Sequence, residues 1–355
     1  MEPESIELGF LSVFALITFF IFLILEIYSK KTKEGILIDE DFSKPQAFHE
    51  KPISRIGGVG CFVSLMIFIW IYYLLYNEIL YEYIFIGLSL FLIGYLDDLK
   101  FKLSPNLRLI FMIIFLLFFI NYFSVEVQNL DIFFLKFWLE NKILSNIFVL
   151  ICFLFVVNGA NLIDGFNGLL CINLIIVNSV LLFLNLNGNH LEFAFFLTGQ
   201  IIILVAFLLF NFPKAKIFLG DSGSYLLGSI VALNVIFTNN LNPQISSFFF
   251  CILLFYLFFE VFFSFIRKIY QKKSPVQPDD IHLHMLSFKK IDNGLESEKA
   301  NYLNSTLINL IYSALVLPSI YFADNSLVCK YWFFALMLIY TMFYIRLYRL
   351  KIKSV

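Results

Sequence analysis

The sequence predicts an all-α integral membrane protein, and three observations carry that prediction. Of its 355 residues, 60% are AVILMFWYC and only 14% are DEKR, against about 45–50% and about 25% in soluble domains. The apolar residues fall in runs of about 16–21, enough to cross a hydrocarbon core of ~30 Å as helix. Runs such as Ile110 to Ile120 and Ile201 to Phe210 are continuously apolar, without the alternation that a transmembrane β-barrel strand requires.

Reading apolar runs between polar breaks predicts about eleven spans: 8–28, 57–76, 83–96, 107–122, 144–157, 168–186, 193–210, 222–238, 246–266, 303–323 and 331–348. Glu2, Glu4 and Glu7 precede the bulk of the first run with no Lys or Arg among them. That is the wrong charge for a signal-peptide n-region, so a retained first span is expected. Between the fourth and fifth spans, Phe133, Phe134, Phe137 and Trp138 alternate with Asp131, Lys136 and Glu140, a pattern suited to a short interfacial helix.

With the N-terminus outside, the cytoplasmic segments are about 29–56, 97–106, 158–167, 211–221, 267–302 and the C-terminal tail. Counting charges at the span ends, these hold all of the 25 Lys and Arg except Lys136, Lys142 and Lys330. Such a positive-inside bias sets the orientation, with the C-terminus cytoplasmic. The same face takes every Asp but Asp131 and Asp324 and every His but His190, which the rule for Lys and Arg does not require. No repeat, linker or soluble domain is visible, so residues 1–355 read as one multi-pass domain. The net charge of −1 gives no sign of a nucleic-acid partner. The cysteines, Cys61, Cys152, Cys171, Cys251 and Cys329, have no metal or redox spacing and are expected to be inert core residues.

The polar breaks on the predicted cytoplasmic face carry the chemistry. Lys44, His49, Lys51 and Arg55 lead into the Gly57-Gly58 pair. Asp97 and Asp98 end the third span, followed by Lys100 and Lys102. Two adjacent carboxylates at a water boundary can hold a divalent metal or orient a phosphate, or can be a solvated helix end. Between the fifth and sixth spans, Asn158, Asn161, Asp164, Gly165, Asn167 and Gly168 crowd into eleven residues with no basic group. Glycines permit close backbone approach, and Asn and Asp offer atoms that suit a nucleobase, a ribose or a hard cation.

Gly220-Asp221-Ser222-Gly223 opens the eighth span, where exposed N–H groups and the helix dipole would favour a phosphate. After the ninth span come Arg267, Lys268, Asp279, Asp280 and His282-Leu-His284. The two histidines lack the remaining partners of a zinc site but could donate to a phosphate. Glu260 lies within an apolar run and needs a polar partner, so packing or positioning is expected of it.

Taken in order, Arg-x-Gly-Gly at Arg55, the Asp97-Asp98 pair, Asn-x-x-Asn-x-x-Asp-Gly-x-x-Gly, Gly-Asp-x-Gly-Ser and Pro-Asp-x-x-His-x-His make a set. That set resembles the polyprenyl-phosphate N-acetylhexosamine-1-phosphate transferases, of the glycosyltransferase family 4 type, from Lys44 to about His284. The likeness is closer to the branch that primes O-antigen, common antigen or teichoic acid than to muramyl-pentapeptide transferase. The latter characteristically has Thr-Pro-Thr-Met-Gly-Gly and three consecutive histidines, where this chain has Ile53-Ser-Arg-Ile-Gly-Gly and His282-Leu-His284. Two positions depart from the branch: Met285 replaces a usual histidine, and Asn167 a frequent Asp.

The resemblance implies transfer of a sugar-1-phosphate from a UDP-amino sugar to undecaprenyl phosphate, with release of UMP, in the bacterial inner membrane among its lipids. It implies Mg²⁺ as metal, with Mn²⁺ as a substitute, and leaves a homodimer open. Asp97, Asp98 and Asp164 are the implied catalytic carboxylates, with Asp97 and Asp98 facing the lipid phosphate. Asn161 and Asp221 are the implied metal ligands. Asp164, Gly165 and Asn167 are implied at the uridine, Arg267, His282 and His284 at the pyrophosphate, and Lys51 and Lys44 as further nucleotide contacts. An inactive lipid-binding relative and an ion-coupled secondary transporter remain as alternative readings.

Overall fold

The computed structural model describes residues 3–31, 37–39, 52–101, 103–275, 277, 279–292 and 295–353. Among these residues fourteen α-helices follow in order: α1 (Pro3–Lys31), α2 (Gly57–Tyr76), α3 (Tyr81–Asp98), α4 (Pro105–Tyr122), α5 (Phe133–Leu139), α6 (Lys142–Ile163), α7 (Leu169–Asn187), α8 (Leu191–Asn211), α9 (Gly220–Leu241), α10 (Ser247–Leu253), α11 (Phe255–Tyr270), α12 (Leu283–Ile291), α13 (Ser297–Val316) and α14 (Ser326–Lys353). Among the described residues, nine helices are long and apolar enough to cross a membrane, or ten if α10 and α11 form one span. The expected third span corresponds to α3, which carries Glu82, Asp97 and Asp98.

Polar caps start several of these helices. Ser104 Oγ accepts from the Leu107 N–H at 3.3 Å, and Pro105 opens α4, a first-turn position where its missing N–H costs nothing. Asn141 Oδ1 accepts from the Ile143 N–H at 2.9 Å to start α6, and Ser246 Oγ accepts from the Phe248 N–H at 3.2 Å to start α10.

The expected single span at 246–266 is instead two helices bent by 78° at Leu254. The Tyr312 hydroxyl donates to the Leu253 carbonyl at the break, so a backbone group freed by the bend has a partner. α5 is the expected connector, its Phe133, Phe134, Phe137 and Trp138 all exposed. The cysteines are less uniform than expected: Cys61, Cys171 and Cys329 are buried, whereas Cys251 is exposed on α10.

α9 is the centre of the bundle, buried along nearly its whole length and packed against α2, α3, α6 and α7. Inside the bundle, the Tyr83 hydroxyl donates to Asn234 Oδ1 at 2.8 Å and Asn234 Nδ2 to Gln200 Oε1 at 2.6 Å. Such interhelical bonds join helices where lipid supplies no hydrophobic drive. At the other end of α9, Gly94 of α3 lies so near the Asp221 carbonyl that a Cβ there would collide with it.

A small β element departs from the all-helical expectation. Strands β1 (Ile38–Asp39) and β2 (Ile53–Ser54) pair antiparallel, and Ser54 bridges to Ile217. The Phe218 N–H then donates to the Ser54 carbonyl at 2.8 Å and the Gly57 N–H to the Phe218 carbonyl at 2.9 Å. These bonds stitch the entry of α2 to the entry of α9.

Candidate active site

The ends of α3, α6 and α8 and the starts of α2, α4, α7, α9 and α13 lie together at one end of the bundle. A polar cleft there is lined by Arg55, Asn161, Asp164, Gly165, Asn167, Asn211 and Asp221, with Phe218 and Leu219 on its wall.

Asp98 does not face an open substrate position. It is buried, and its Oδ1 and Oδ2 accept from the Asp221 and Ser222 N–H groups at 3.1 and 2.9 Å. Its carboxylate thus caps α9 from a neighbouring helix, where negative charge complements the dipole. Gly220 allows the approach: its φ is +76°, and a Cβ would sit 2.6 Å from Asp98 Oδ2. The N–H groups expected to receive a phosphate at this helix start are therefore taken by Asp98. Arg55 Nη1 lies 3.6 Å from Asp98 Oδ1.

Asp97 turns the other way, toward Arg108. Arg108 Nη1 lies 2.9 Å from Asp97 Oδ2 and 2.7 Å from Asp221 Oδ2, so one guanidinium nitrogen joins the two carboxylates. Arg108 was not among the residues expected from sequence. A lone Arg in the first turn of an apolar helix, where the dipole disfavours a cation, is the signal that could have found it. On the opposite oxygen, Asn161 Nδ2 donates to Asp221 Oδ1 at 3.1 Å and to Ser224 Oγ at 3.0 Å.

The loop from Asp164 to Gly168 joins α6 to α7. Gly168, at φ +75°, begins α7 in a conformation that other residues adopt at a cost. Its N–H donates to Asn211 Oδ1 at 2.7 Å, the Asn167 N–H donates to Asn301 Oδ1 at 2.8 Å, and Asn167 Nδ2 donates to the Pro213 carbonyl at 3.0 Å. Gly165 faces open space. Burial and the nearby Asp221 carboxylate hold the Asp164 carboxyl well above the usual range, and Arg55 opposes them.

The histidine motif is placed differently from the expectation. His282 is buried with both ring nitrogens engaged: Nδ1 is 3.0 Å from Glu260 Oε1, and Nε2 is 3.2 Å from Asp279 Oδ1. Glu260 also accepts from the Leu283 N–H at 3.1 Å and the Tyr340 hydroxyl at 2.6 Å, which fits its expected positioning role. Arg267 Nη2 pairs with Asp279 Oδ2 at 2.9 Å. His284 is fully buried, its Nδ1 3.2 Å from the Tyr256 hydroxyl, and burial pushes its pKa down to about 4. Met285 is fully buried too. Arg267, His282 and His284 thus form an internal cluster beside the cleft, touching its wall where the Phe166 ring packs against His284 at 5.7 Å. Asp279, the acidic residue of the Pro-Asp-x-x-His-x-His motif, and Tyr340, which was not expected from sequence, complete that cluster. Lys44, His49, Lys51 and Lys102 lie outside the described residues.

Asp97 and Asp221 bring two carboxylates together on Arg108 with the Asn161 amide beside them, and among the described residues no group of three His, Cys, Asp or Glu is placed to hold a metal ion. Two carboxylates and an amide are residue types that suit Mg²⁺, which is held by one or two protein carboxylates, its other positions going to water and substrate phosphates.

A many-helix membrane bundle with carboxylates, amides and an arginine gathered at one end is the architecture of a membrane-embedded enzyme acting on a polar, charged substrate. Residues 80–239 match the family described as glycosyl transferase family 4. The chain is 32% identical over 279 residues to the undecaprenyl-phosphate alpha-N-acetylglucosaminyl 1-phosphate transferase of Thermotoga maritima, covering 78% of this chain and 80% of that protein. It is 28% identical over 288 residues to the probable undecaprenyl-phosphate N-acetylglucosaminyl 1-phosphate transferase of Bacillus subtilis, covering 76% and 75%. The phospho-N-acetylmuramoyl-pentapeptide-transferase of Lactobacillus johnsonii is 30% identical over 249 residues, 64% of this chain and 74% of that protein. The chain belongs to glycosyl transferase family 4.

Proposed function

We propose that this protein transfers N-acetylhexosamine-1-phosphate from a UDP-sugar to undecaprenyl phosphate, releasing UMP, as the priming step of a cell-surface polysaccharide. The observation that carries the reading is the convergence of Asp97 and Asp221 on Arg108 beside a cleft lined by amides. The relatives named above as N-acetylglucosaminyl 1-phosphate transferases favour UDP-N-acetylglucosamine as the donor. The positive-inside bias puts the site at the cytoplasmic face of the cell membrane, with the N-terminus outside and eleven spans including α3.

In this reaction an oxygen of the lipid phosphate bonds to the β-phosphorus of the donor, and the bond to the UMP oxygen breaks. Both partners are anionic, so neutralising charge and aligning the groups dominate the barrier. A phosphate monoester has its second pKa near ~6, so the attacking group is already largely dianionic at neutral pH. Asp97 is therefore assigned to orienting that phosphate and its counter-cations, with no obligatory proton abstraction. Arg108 and Arg55 supply positive charge where the phosphates meet. Asp164, Gly165 and Asn167 are assigned to the uridine. Asp221 and Asn161, with Asp97, would hold Mg²⁺, which when bound screens the pyrophosphate charge. Asp98 sets the position of Asp221 through the start of α9.

The test is UMP release by the purified, detergent-solubilised protein with undecaprenyl phosphate, Mg²⁺ and a panel of UDP-amino sugars. Release with UDP-N-acetylglucosamine, abolished by chelation and by Asp221→Asn, is the expected result. Silence across the panel from folded protein would refute the proposal.

A further inference from the structure

We propose that α13 is the positioning helix of the active site, with Asn301 and Asn304 as its working residues. This rests on the reading that the 164–168 loop receives the nucleotide. α13 lies beyond residues 80–239, the part of the chain that matches the family, and its polar residues were not expected from sequence.

Four side chains on α13 bond backbone groups of four other segments. Asn301 Oδ1 accepts from the Asn167 N–H at 2.8 Å. Asn304 Nδ2 donates to the His284 carbonyl at 2.9 Å, and Asn309 Nδ2 to the Leu169 carbonyl at 3.2 Å. The Tyr312 hydroxyl donates to the Leu253 carbonyl at the α10–α11 break. At 100° per residue these positions fall on one face, and at 1.5 Å per residue they span about 16 Å. All four residues are buried.

The placement has a specific consequence for the cleft. The 164–168 loop is short of regular structure, so its amides depend on side chains for their partners. Asn211 and the Pro213 carbonyl hold it from the α8 side, and Asn301 holds it from the α13 side. Three residues along the same helix, Asn304 fixes the turn that carries His282 and His284. One rigid element therefore sets the spacing between the loop and the Glu260–His282–Asp279–Arg267 cluster. Neither asparagine touches substrate in this arrangement; both act through the backbone they hold.

The experiment compares wild type, Asn301→Ala and Asn301→Asp in detergent by two readouts. Hydrogen exchange without substrate is expected to show amides 166–169 exchanging about tenfold faster in Asn301→Ala, the scale of one lost hydrogen bond. Amides in α9 should not change, and Asn301→Asp, which keeps an acceptor, should restore protection. Kinetics are expected to show an approximately tenfold higher KM for the UDP-sugar in Asn301→Ala with KM for the lipid phosphate unchanged, again restored by Asp. Unchanged exchange at 166–169, loss of protection spread over the whole bundle, or a fall in kcat with both KM values unaltered would each overturn the proposal. Failure of the functional reading would show separately, as absence of UMP release by wild type, and the exchange experiment would still decide the role of Asn301.

Discussion

Arg108 and Asp221 sit 2.7 Å apart across the junction of α4 and α9, although 113 residues separate them in the chain. With Asp97 on the same nitrogen, two carboxylates that would repel each other are held together by one shared cation.

Arg108→Gln should therefore free two half-buried carboxylates from their counter-charge. UMP release is expected to fall at least 100-fold, and the melting temperature in detergent to drop by the equivalent of about 2 kcal/mol, below the cost of breaking a fully buried pair. Arg108→Lys keeps the charge but loses the planar fork, and should recover only part of both losses. A Gln variant with wild-type turnover would remove Arg108 from the site.

The adjacent carboxylates should separate by readout. Asp98→Asn weakens the acceptor for two N–H groups at the start of α9 and is expected to cost about 1–2 kcal/mol of stability. Asp97→Asn is expected to lower turnover with little change in melting temperature. The reverse pattern, a stable Asp98→Asn and an unstable Asp97→Asn, would invert the two roles.

Gly220→Ala tests the same contact from the α9 side. A side chain at φ +76° costs roughly 1–2 kcal/mol in conformation alone, and its Cβ would press on Asp98 Oδ2 at 2.6 Å. The variant should melt lower than Asp98→Asn and lose activity with it. Equal stability to wild type would mean that α9 starts differently.

His284 predicts acid sensitivity. Its folded pKa is lowered from 6.5 to about 4, so on acidification the unfolded chain takes up this proton first. Stability is present in full above the unfolded pKa and declines as pH falls from about 6.5 toward about 4, by as much as about 3 kcal/mol at the lower end. Melting curves of wild type and His284→Gln between pH 7.5 and 4.5 should converge as pH falls. Parallel curves would mean that His284 titrates alike in both states.

Much of the fold is legible in the sequence because a bilayer demands long apolar runs, and each of the eleven runs falls on a helix or a bent pair. The acidic and amide-rich breaks are legible for the opposite reason: Asn161, Asp164 and Asp221 serve no apolar packing. Arg108 is harder to see, because a lone Arg at a span start also satisfies the positive-inside rule. Partners across the bundle are harder still. Nothing local to His282 says that Glu260 and Asp279 will occupy both of its nitrogens, and nothing local to Asn167 points to Asn301. The bend at Leu254 has no Gly or Pro to announce it.

The hydrogen bond between Asn167 and Asn301 also orders events during synthesis. The two residues are 134 positions apart, which at about 5–20 residues per second is roughly 7–27 seconds of translation. Through that interval the loop has been made and its final acceptor has not. A ribosome that stalls between Asp221 and Asn301 leaves a chain with Asp97, Arg108, Asn161 and Asp221 all present and the loop beside them still without its Asn301 acceptor, so the site is completed only when the penultimate membrane helix arrives.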